Sequence, residues 1–136
     1  MNNRAFTLVE TLAVIILLGV IMSIAIPSIN NAMDSANKRR IKEDAEMFII
    51  LAKEYVETHK DFNGGKITIC NKGGTSNCID GDKLSDTYDT TNSKVTVSDC
   101  EYNNNNIYVC DSYSVHLENN KYEAKGEEGS INVNKK

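Results

Sequence analysis

The hydrophobic and polar residues divide this chain of 136 residues into two unequal parts. Residues 6–26, the apolar segment, are almost entirely hydrophobic, and the polar side chains among them are Thr7, Glu10, Thr11 and Ser23. As a helix, these 21 residues would measure about 32 Å at ~1.5 Å per residue, which matches the roughly 30 Å hydrocarbon core of a bilayer. The pattern therefore predicts one helix that crosses a membrane.

A second helical pattern follows in the polar part of the chain. Apolar residues recur at steps of three and four from Ile41 to Val56, and charged residues occupy most other positions. Residues 45–52 are apolar on nearly every side, which allows either a wide core stripe or a helix with one side on its own sheet and the other on neighbouring chains. The sequence Asn63-Gly64-Gly65 predicts the end of this helix, because glycine tolerates a left-handed cap.

The rest of the sequence predicts short strands joined by polar turns. Strands are expected at residues 66–70, 94–97, 107–110, 113–118, 121–125 and 131–133, and loops at residues 73–76 and 103–106. The predicted fold class is α+β, in which a long N-terminal helix with a membrane half and an amphipathic half packs on a small antiparallel β-sheet.

The charge of this polar part bears on the partners that it could bind, and its cysteines bear on the compartment in which it folds. The net charge of −4 arises beyond the apolar segment, since Arg4 and Glu10 cancel, and it argues against a nucleic-acid-binding surface. Four cysteines in a small exported domain predict two disulfides in an oxidising compartment. Three pairings are possible. We prefer the one in which each cysteine bonds to the cysteine nearest to it in the sequence, Cys70 to Cys78 and Cys100 to Cys110.

Glu10 is the feature of the apolar segment that needs an explanation. A carboxylate at the centre of a membrane helix costs on the order of 2.5–3.5 kcal/mol, less near an end, and such residues are usually functional. A cleavable secretory signal would have a shorter apolar run with a cleavage site at its far end. A plain signal anchor fits the length but leaves Glu10 unexplained.

A third interpretation rests on local sequence. Residues 4–10 (RAFTLVE), the apolar run after them and the spacing of Gly19 and Pro27 strongly resemble the class III signal of type IV prepilins. The resemblance covers residues 1–30. It implies that a prepilin peptidase cleaves between Ala5 and Phe6 and then methylates the Phe6 amine. The family usually has glycine where this chain has Ala5.

The resemblance also implies the domain organisation. The expected parts are a leader peptide at residues 1–5, a hydrophobic transmembrane and polymerisation helix at 6–29, its amphipathic continuation at 30–63, and a disulfide-containing β-sheet head domain at 64–136.

Three residues of the hydrophobic helix have expected roles. Glu10 lies four residues after Phe6, on the same helical face. It either caps its own helix N-terminus or, as the resemblance implies, meets the Phe6 amine of a neighbouring subunit during assembly. Pro27 lacks a backbone donor and Gly19 is a second weak point. These two predict an ordinary kink or, by resemblance, a stretch that loosens in the filament.

The expected function is that of a structural subunit of a type IV pilus, for adhesion, motility or aggregation. The alternatives are a pseudopilin of a type II secretion or DNA-uptake machine and, in another class, a single-span anchor for a ligand-binding domain. Implied partners are copies of itself and related pilins, prepilin peptidase, the pilus assembly platform with its ATPase, and membrane lipid before assembly. The subunit would begin in the inner or cytoplasmic membrane and end in an extracellular pilus.

Neither an enzyme nor a cofactor or metal site is predicted. His59 and His116 have no Cys or Ser at a recognisable nucleophile-activating spacing and are expected on the surface. Asp80-Gly81-Asp82 is expected to be an aspartate-rich turn, because it lacks the twelve-residue calcium-loop pattern. Topology has one conflicting signal: Lys38 and its two basic neighbours follow the span and oppose the positive-inside rule, whereas the cysteines and the leader place the C-terminal part outside.

Overall fold

The computed structural model describes residues 7–70 and 77–136 of the chain. The helix and strands, in chain order, are α1 (Leu8–Thr58), β1 (Gly65–Cys70), β2 (Cys78–Asp80), a 3-10 turn (Gly81–Lys83), β3 (Lys94–Tyr102), β4 (Tyr108–Glu118), β5 (Tyr122–Glu127) and β6 (Ser130–Lys135). The predicted leader, the loop at residues 73–76 and the cleavage position at Ala5 and Phe6 lie outside the described residues. One long helix and a mostly antiparallel sheet confirm the predicted α+β class.

The chain divides into two compact units, Met1–Asn37 and Lys38–Lys136, and α1 contributes to both. We refer to the second as the globular unit. In the described part of the first unit, large apolar side chains from Leu8 to Met33 are exposed. The globular unit has a conventional core, so the two units bury hydrophobic surface to very different extents.

The core of the globular unit lies between α1 and the sheet. Ile41, Ala45, Phe48, Ala52 and Val56 are buried at steps of three and four, which is the spacing of one helical face. They belong to the same cluster of buried residues as the inward side chains of the central strands, which include Ile67, Val95, Val97, Val115 and Leu117. The predicted amphipathic pattern is therefore confirmed.

The opposite side of this part of α1 is apolar as well. Met47 and Ile50 are 44% and 57% exposed, whereas Phe48 and Ile49 are buried. The core stripe within residues 45–52 therefore includes Phe48 and Ile49 but not Met47 or Ile50. The segment packs on its own sheet by one side and leaves apolar side chains on the other.

The six strands have the order β2-β1-β3-β4-β5-β6. Every neighbouring pair is antiparallel except β1 and β2, which are parallel. The predicted antiparallel sheet therefore has one parallel pair, at the edge formed by the three-residue β2, a strand that was not predicted. The two strands expected at residues 107–110 and 113–118 form the single strand β4, because the polar residues between them pair with a longer β3.

The end of α1 differs from the prediction. The helix ends at Thr58, before the Asn63-Gly64-Gly65 stop. Phe62 N donates a hydrogen bond to His59 O at 2.9 Å, closing a turn that carries the Phe62 side chain into the core. Gly64 and Gly65 have φ of +83° and +116° and precede or begin β1. The glycines therefore serve the entry into the sheet instead of the helix cap.

Both disulfides join neighbouring strands. Cys70 is bonded to Cys78 with a Cα–Cα distance of 5.6 Å, which links β1 to β2. Cys100 is bonded to Cys110 with a Cα–Cα distance of 4.0 Å, and these two residues are direct partners in the β3–β4 ladder. This is the pairing that the sequence analysis preferred.

A buried carboxylate fastens the segment between the 3-10 turn and β3 to α1. Asp44 accepts hydrogen bonds from Ser85 Oγ at 2.6 Å and from Ser85 N at 3.3 Å, and another from the Tyr88 hydroxyl. Arg40 Nη2 donates to Ser85 O at 3.0 Å and lies 3.5 Å from Asp86 Oδ2. Burial, with the neighbouring Asp44, raises the pKa of Tyr88 above its ordinary value, so its phenol stays protonated and continues to donate.

Asp44→Ala is expected to lower the free energy of unfolding of the globular unit by about 2–3 kcal/mol, because Ser85 and Tyr88 lose their common acceptor. Urea denaturation of the full chain in detergent micelles, followed by tyrosine fluorescence, measures this change. Glu46→Ala is the matched control, since Glu46 is an exposed acidic residue of the same helix. Equal midpoints for the two variants would contradict a stabilising role for the buried carboxylate.

Candidate functional site

The N-terminal end of α1 is held by a reciprocal pair of side-chain contacts. Thr7 N and Thr7 Oγ1 donate to Glu10 Oε2 at 2.9 Å and 3.1 Å, and Glu10 N donates to Thr7 Oγ1 at 3.3 Å. Thr7 immediately precedes the helix and Glu10 is its third residue. This arrangement is a capping box, in which two backbone donors without helical partners are satisfied by side chains.

The capping box gives Glu10 a role within its own chain. Its carboxylate lies at the positive end of the helix dipole, where a negative charge is favourable. The contribution of Thr7 was missed by the sequence analysis, although the T-x-x-E spacing of residues 7–10 is the signal for it. The Phe6 amine lies outside the described residues, so its pairing with Glu10 stays a prediction.

The helix after Glu10 is long and apolar enough to cross a membrane. Its most hydrophobic window of 18 residues has a mean hydropathy of 2.7, and none of that window is buried within the chain. The exposed fractions reach 87% at Leu8 and 73% at Ile24. Because apolar surface left in water costs about 25 cal/mol per Å², these side chains require lipid or other protein chains around them.

Gly19 and Pro27 lie within this continuous helix. A Cβ at Gly19 would meet nothing within 4 Å, so no contact inside the described chain requires glycine there. Pro27 has no N–H to donate to the Ser23 carbonyl, and the Ser23 hydroxyl donates to Val20 O at 2.7 Å. The helix is nevertheless unbroken from Leu8 to Thr58. The predicted loosening of this stretch in a filament stays a prediction.

The predicted aspartate-rich turn has a local structural role. Asp80 Oδ1 accepts a hydrogen bond from Asp82 N at 3.1 Å and caps the 3-10 turn. Asp86 is instead engaged by Arg40, as described above. The carboxylate of Asp80 therefore serves turn formation, and that of Asp86 serves attachment to α1.

The two histidines differ in their surroundings. His59 is exposed at the end of α1 and stacks on Tyr55 with ring centroids 3.9 Å apart. His116 is half-buried, with a side chain that is 22% exposed, and lies beside Glu118 and Glu123 on β4 and β5. The predicted strands at residues 113–118 and 121–125 indicate that β5 approaches β4, but the register that pairs Glu118 with Glu123 was not predicted.

The glutamates of this cluster have cationic and amide partners. The Asn92 amide, followed by Lys136, holds the pKa of Glu118 below its ordinary value. Lys125 does the same for the pKa of Glu123. Both carboxylates are therefore ionised at neutral pH.

Comparison with known proteins concerns the N-terminal segment. Residues 1–26 match the family described as the prokaryotic N-terminal methylation motif. The match includes the predicted cleavage position, Glu10 and Gly19, and it confirms the recognition made from these residues. No curated protein and no solved structure matches the chain.

Proposed function

We propose that this chain, which carries the class III signal peptide of type IV pilins and pseudopilins, is a structural subunit of a type IV pilus. Proteins with this motif are processed by prepilin peptidase and assemble with other pilin subunits. The observation that carries the proposal is the match at residues 1–26 on a helix whose apolar surface is uncovered within the chain. A structural role is typical of this family and fold.

The exposed apolar surface of α1 suits a subunit that moves from the membrane into a filament. Before assembly, lipid covers the apolar half of α1, and the motif supports such membrane anchoring. In a filament, the same side chains would contact the apolar helices of neighbouring subunits. Helices exchange lipid for one another through close packing and a few polar contacts, because lipid tails are as apolar as the side chains. Gly19 would permit such a close approach because it has no side chain, and a Cβ added there would contact nothing within 4 Å in its own chain.

Glu10 would supply the polar contact that sets the position of a new subunit. Cleavage before Phe6 creates an α-amine that is mostly cationic at neutral pH. An unpaired charge in an apolar environment is unfavourable, and pairing with an opposite charge reduces that cost. The capping box describes how Glu10 is satisfied while the chain is alone. A neighbouring amine would compete with Thr7 for the same carboxylate.

The globular unit would form the outer surface of the filament. Its two disulfides are typical of proteins folded in an oxidising compartment. The apolar side chains on the outer side of α1, Met47 and Ile50, would extend the contact between helices beyond the membrane half. The pilus assembly platform and its ATPase are part of this proposal through the family alone.

Mass spectrometry of the mature chain tests the proposal most directly. We expect protein from sheared surface filaments to begin at Phe6 and to carry a methylated α-amine, because the peptidase that cuts after Ala5 also modifies the new terminus. Cells that lack the peptidase serve as the control, and their chain should retain residues 1–5. Ala5→Gly, which restores the usual residue of the family, is expected to be processed at least as completely.

Two outcomes would redirect the proposal. Retention of residues 1–5 in the wild-type mature protein would contradict processing and favour a permanently anchored domain. A processed chain that is found only in membranes, with no surface filament, would favour a pseudopilin of a secretion or DNA-uptake machine, since pseudopilins share the motif.

A further inference from the structure

Two glutamates face each other across the hairpin of β4 and β5. Glu118 and Glu123 are direct partners in the antiparallel ladder. Like charges placed directly opposite each other destabilise a strand pair unless a cation lies between them. Glu118 is also 93% buried, since its relative exposure is 7%, which raises the cost of leaving its charge uncompensated. This position therefore needs positive charge.

His116 points its ring into the same place. It lies two residues before Glu118 and hence on the same face of β4. Its Nε2 atom lies 2.9 Å from Glu123 Oε1 and 3.5 Å from Glu118 Oε2. The ligand atoms of these three side chains all lie within 4.8 Å of one another. One nitrogen and two carboxylate oxygens thus converge on one point.

The Nε2 atom of His116 is not explained by the protein alone. It is buried and has no hydrogen-bond partner among the described residues, although it lies 2.9 Å from Glu123 Oε1. A buried polar atom without a partner in a native structure requires an explanation. A metal ion bound by its lone pair would provide one.

The cations already present lie at the rim of the cluster. Lys125 Nζ lies 2.6 Å from Glu123 Oε1, and Lys136 Nζ lies 3.4 Å from Glu118 Oε2. The two lysine side chains are 56% and 43% exposed, whereas the carboxylates that they contact are 25% and 10% exposed. Both ammonium groups can therefore move into solvent when a stronger cation enters. Asn92 Nδ2 donates to Glu118 Oε1 at 2.8 Å and leaves Oε2 for that cation.

We propose that His116, Glu118 and Glu123 bind one zinc ion on the outer face of the β4–β5 hairpin. Zinc accepts imidazole nitrogen and carboxylate oxygen at about 2.0–2.2 Å, commonly in a tetrahedron. Donor atoms around such an ion are separated by roughly 3.3–3.6 Å, and the Nε2 atom of His116 lies 2.9 Å and 3.5 Å from the two carboxylate oxygens. Calcium and magnesium prefer oxygen ligands and are disfavoured by the imidazole. Water would complete the coordination.

The site would cross-link the C-terminal hairpin of the globular unit. The ion binds residues of two strands and removes the repulsion between the paired carboxylates. Because it binds the folded chain only, it would raise the thermal midpoint of the globular unit as zinc concentration rises. This inference does not depend on the proposed role in a pilus, since it rests on the sheet alone.

Zinc titration of the oxidised full chain in detergent micelles, after removal of metals with EDTA, tests the proposal. We expect one zinc per chain and no comparable binding of calcium. His116→Gln and Glu123→Gln should each weaken binding about tenfold or more, the scale seen when metal sites lose supporting groups. Lys125→Met should strengthen it, because Glu123 Oε1 loses its competing cation. Glu127→Gln, on the same strand but outside the cluster, is the matched control.

The readouts separate a site from surface binding. X-ray absorption at the zinc edge should show one imidazole and light oxygen ligands, without sulfur, because all four cysteines are in disulfides. Circular dichroism verifies that each variant is folded, and Glu123→Gln retains His116 if the histidine variant unfolds. Absence of stoichiometric zinc, or equal affinity for wild type, His116→Gln and Glu123→Gln, would overturn the proposal.

Discussion

Glu10→Ala is expected to leave the chain inserted in the membrane and processed at Phe6, yet to reduce its incorporation into filaments at least tenfold. The helix remains long and apolar without the carboxylate, so insertion has no reason to fail. The incoming cationic amine, however, loses the group that would neutralise it in an apolar environment. A loss of about 1.4 kcal/mol in that step already corresponds to tenfold. Immunoblots of sheared-filament and membrane fractions measure the ratio.

The capping box permits a sharper version of this experiment. Thr7→Ala removes the hydroxyl that bonds Glu10 but keeps the carboxylate, and loss of such a cap costs about 1 kcal/mol of helix stability. If Glu10 acts between subunits, Thr7→Ala should assemble nearly normally while Glu10→Ala does not. Equal failure of both variants would show that Glu10 acts through its own helix start. The mature N-terminus of each variant is verified by mass spectrometry, because both substitutions lie near the cleavage position.

Reduction of both disulfides is expected to destabilise the globular unit by about 5 kcal/mol. The bonds close loops with sequence separations of 8 and 10, and the chain-entropy model assigns each about 2.5–3 kcal/mol. The total is comparable to the whole stability of many small domains, roughly 5–15 kcal/mol. Urea denaturation with and without reductant, monitored by tyrosine fluorescence, should therefore give well-separated midpoints.

The two disulfides are expected to stabilise different parts of the globular unit. Cys110 is buried and Cys100 packs against the core, so Cys100→Ala with Cys110→Ala should destabilise the globular unit as a whole. Cys70 and Cys78 attach the three-residue edge strand β2 to β1. Their replacement should increase hydrogen exchange mainly at that edge. Identical exchange patterns in the two double variants would contradict this division, and an unchanged urea midpoint on reduction would contradict the larger prediction.

Features carried by neighbouring residues could be predicted from the sequence. The apolar segment follows from composition alone, and the core stripe from Ile41 to Val56 follows from helical spacing, because both depend on residues at most a few positions apart. The methylation motif is also local, and the predicted role of Glu10 in assembly rests on this motif. The capping box of Thr7 and Glu10 is equally local, and the T-x-x-E spacing of residues 7–10 would have been sufficient to predict it.

The boundaries of some helices and strands in the globular unit could be predicted only in part. The glycines at 64 and 65 correctly indicate positive φ, but they stand at the start of β1 and not at the end of α1. Composition marks where a left-handed conformation is tolerated, whereas the burial of Phe62 decides where the helix must turn. Likewise, the polar residues inside β4 conceal one long strand, because their pairing with β3 outweighs their own weak preference for strands.

The sequence was sufficient to predict the long apolar helix, its acid, the amphipathic stripe and the number of cysteines, since each is a property of composition or short spacing. The folded chain was needed to reveal the parallel edge at β2, the attachment of Tyr88 to Asp44, and the register that brings Glu123 beside His116 and Glu118. These contacts depend on strand order, register and loop path, and Asp44 and Tyr88 are 44 positions apart. Packing of the whole chain selects such contacts, so no local pattern of residues specifies them.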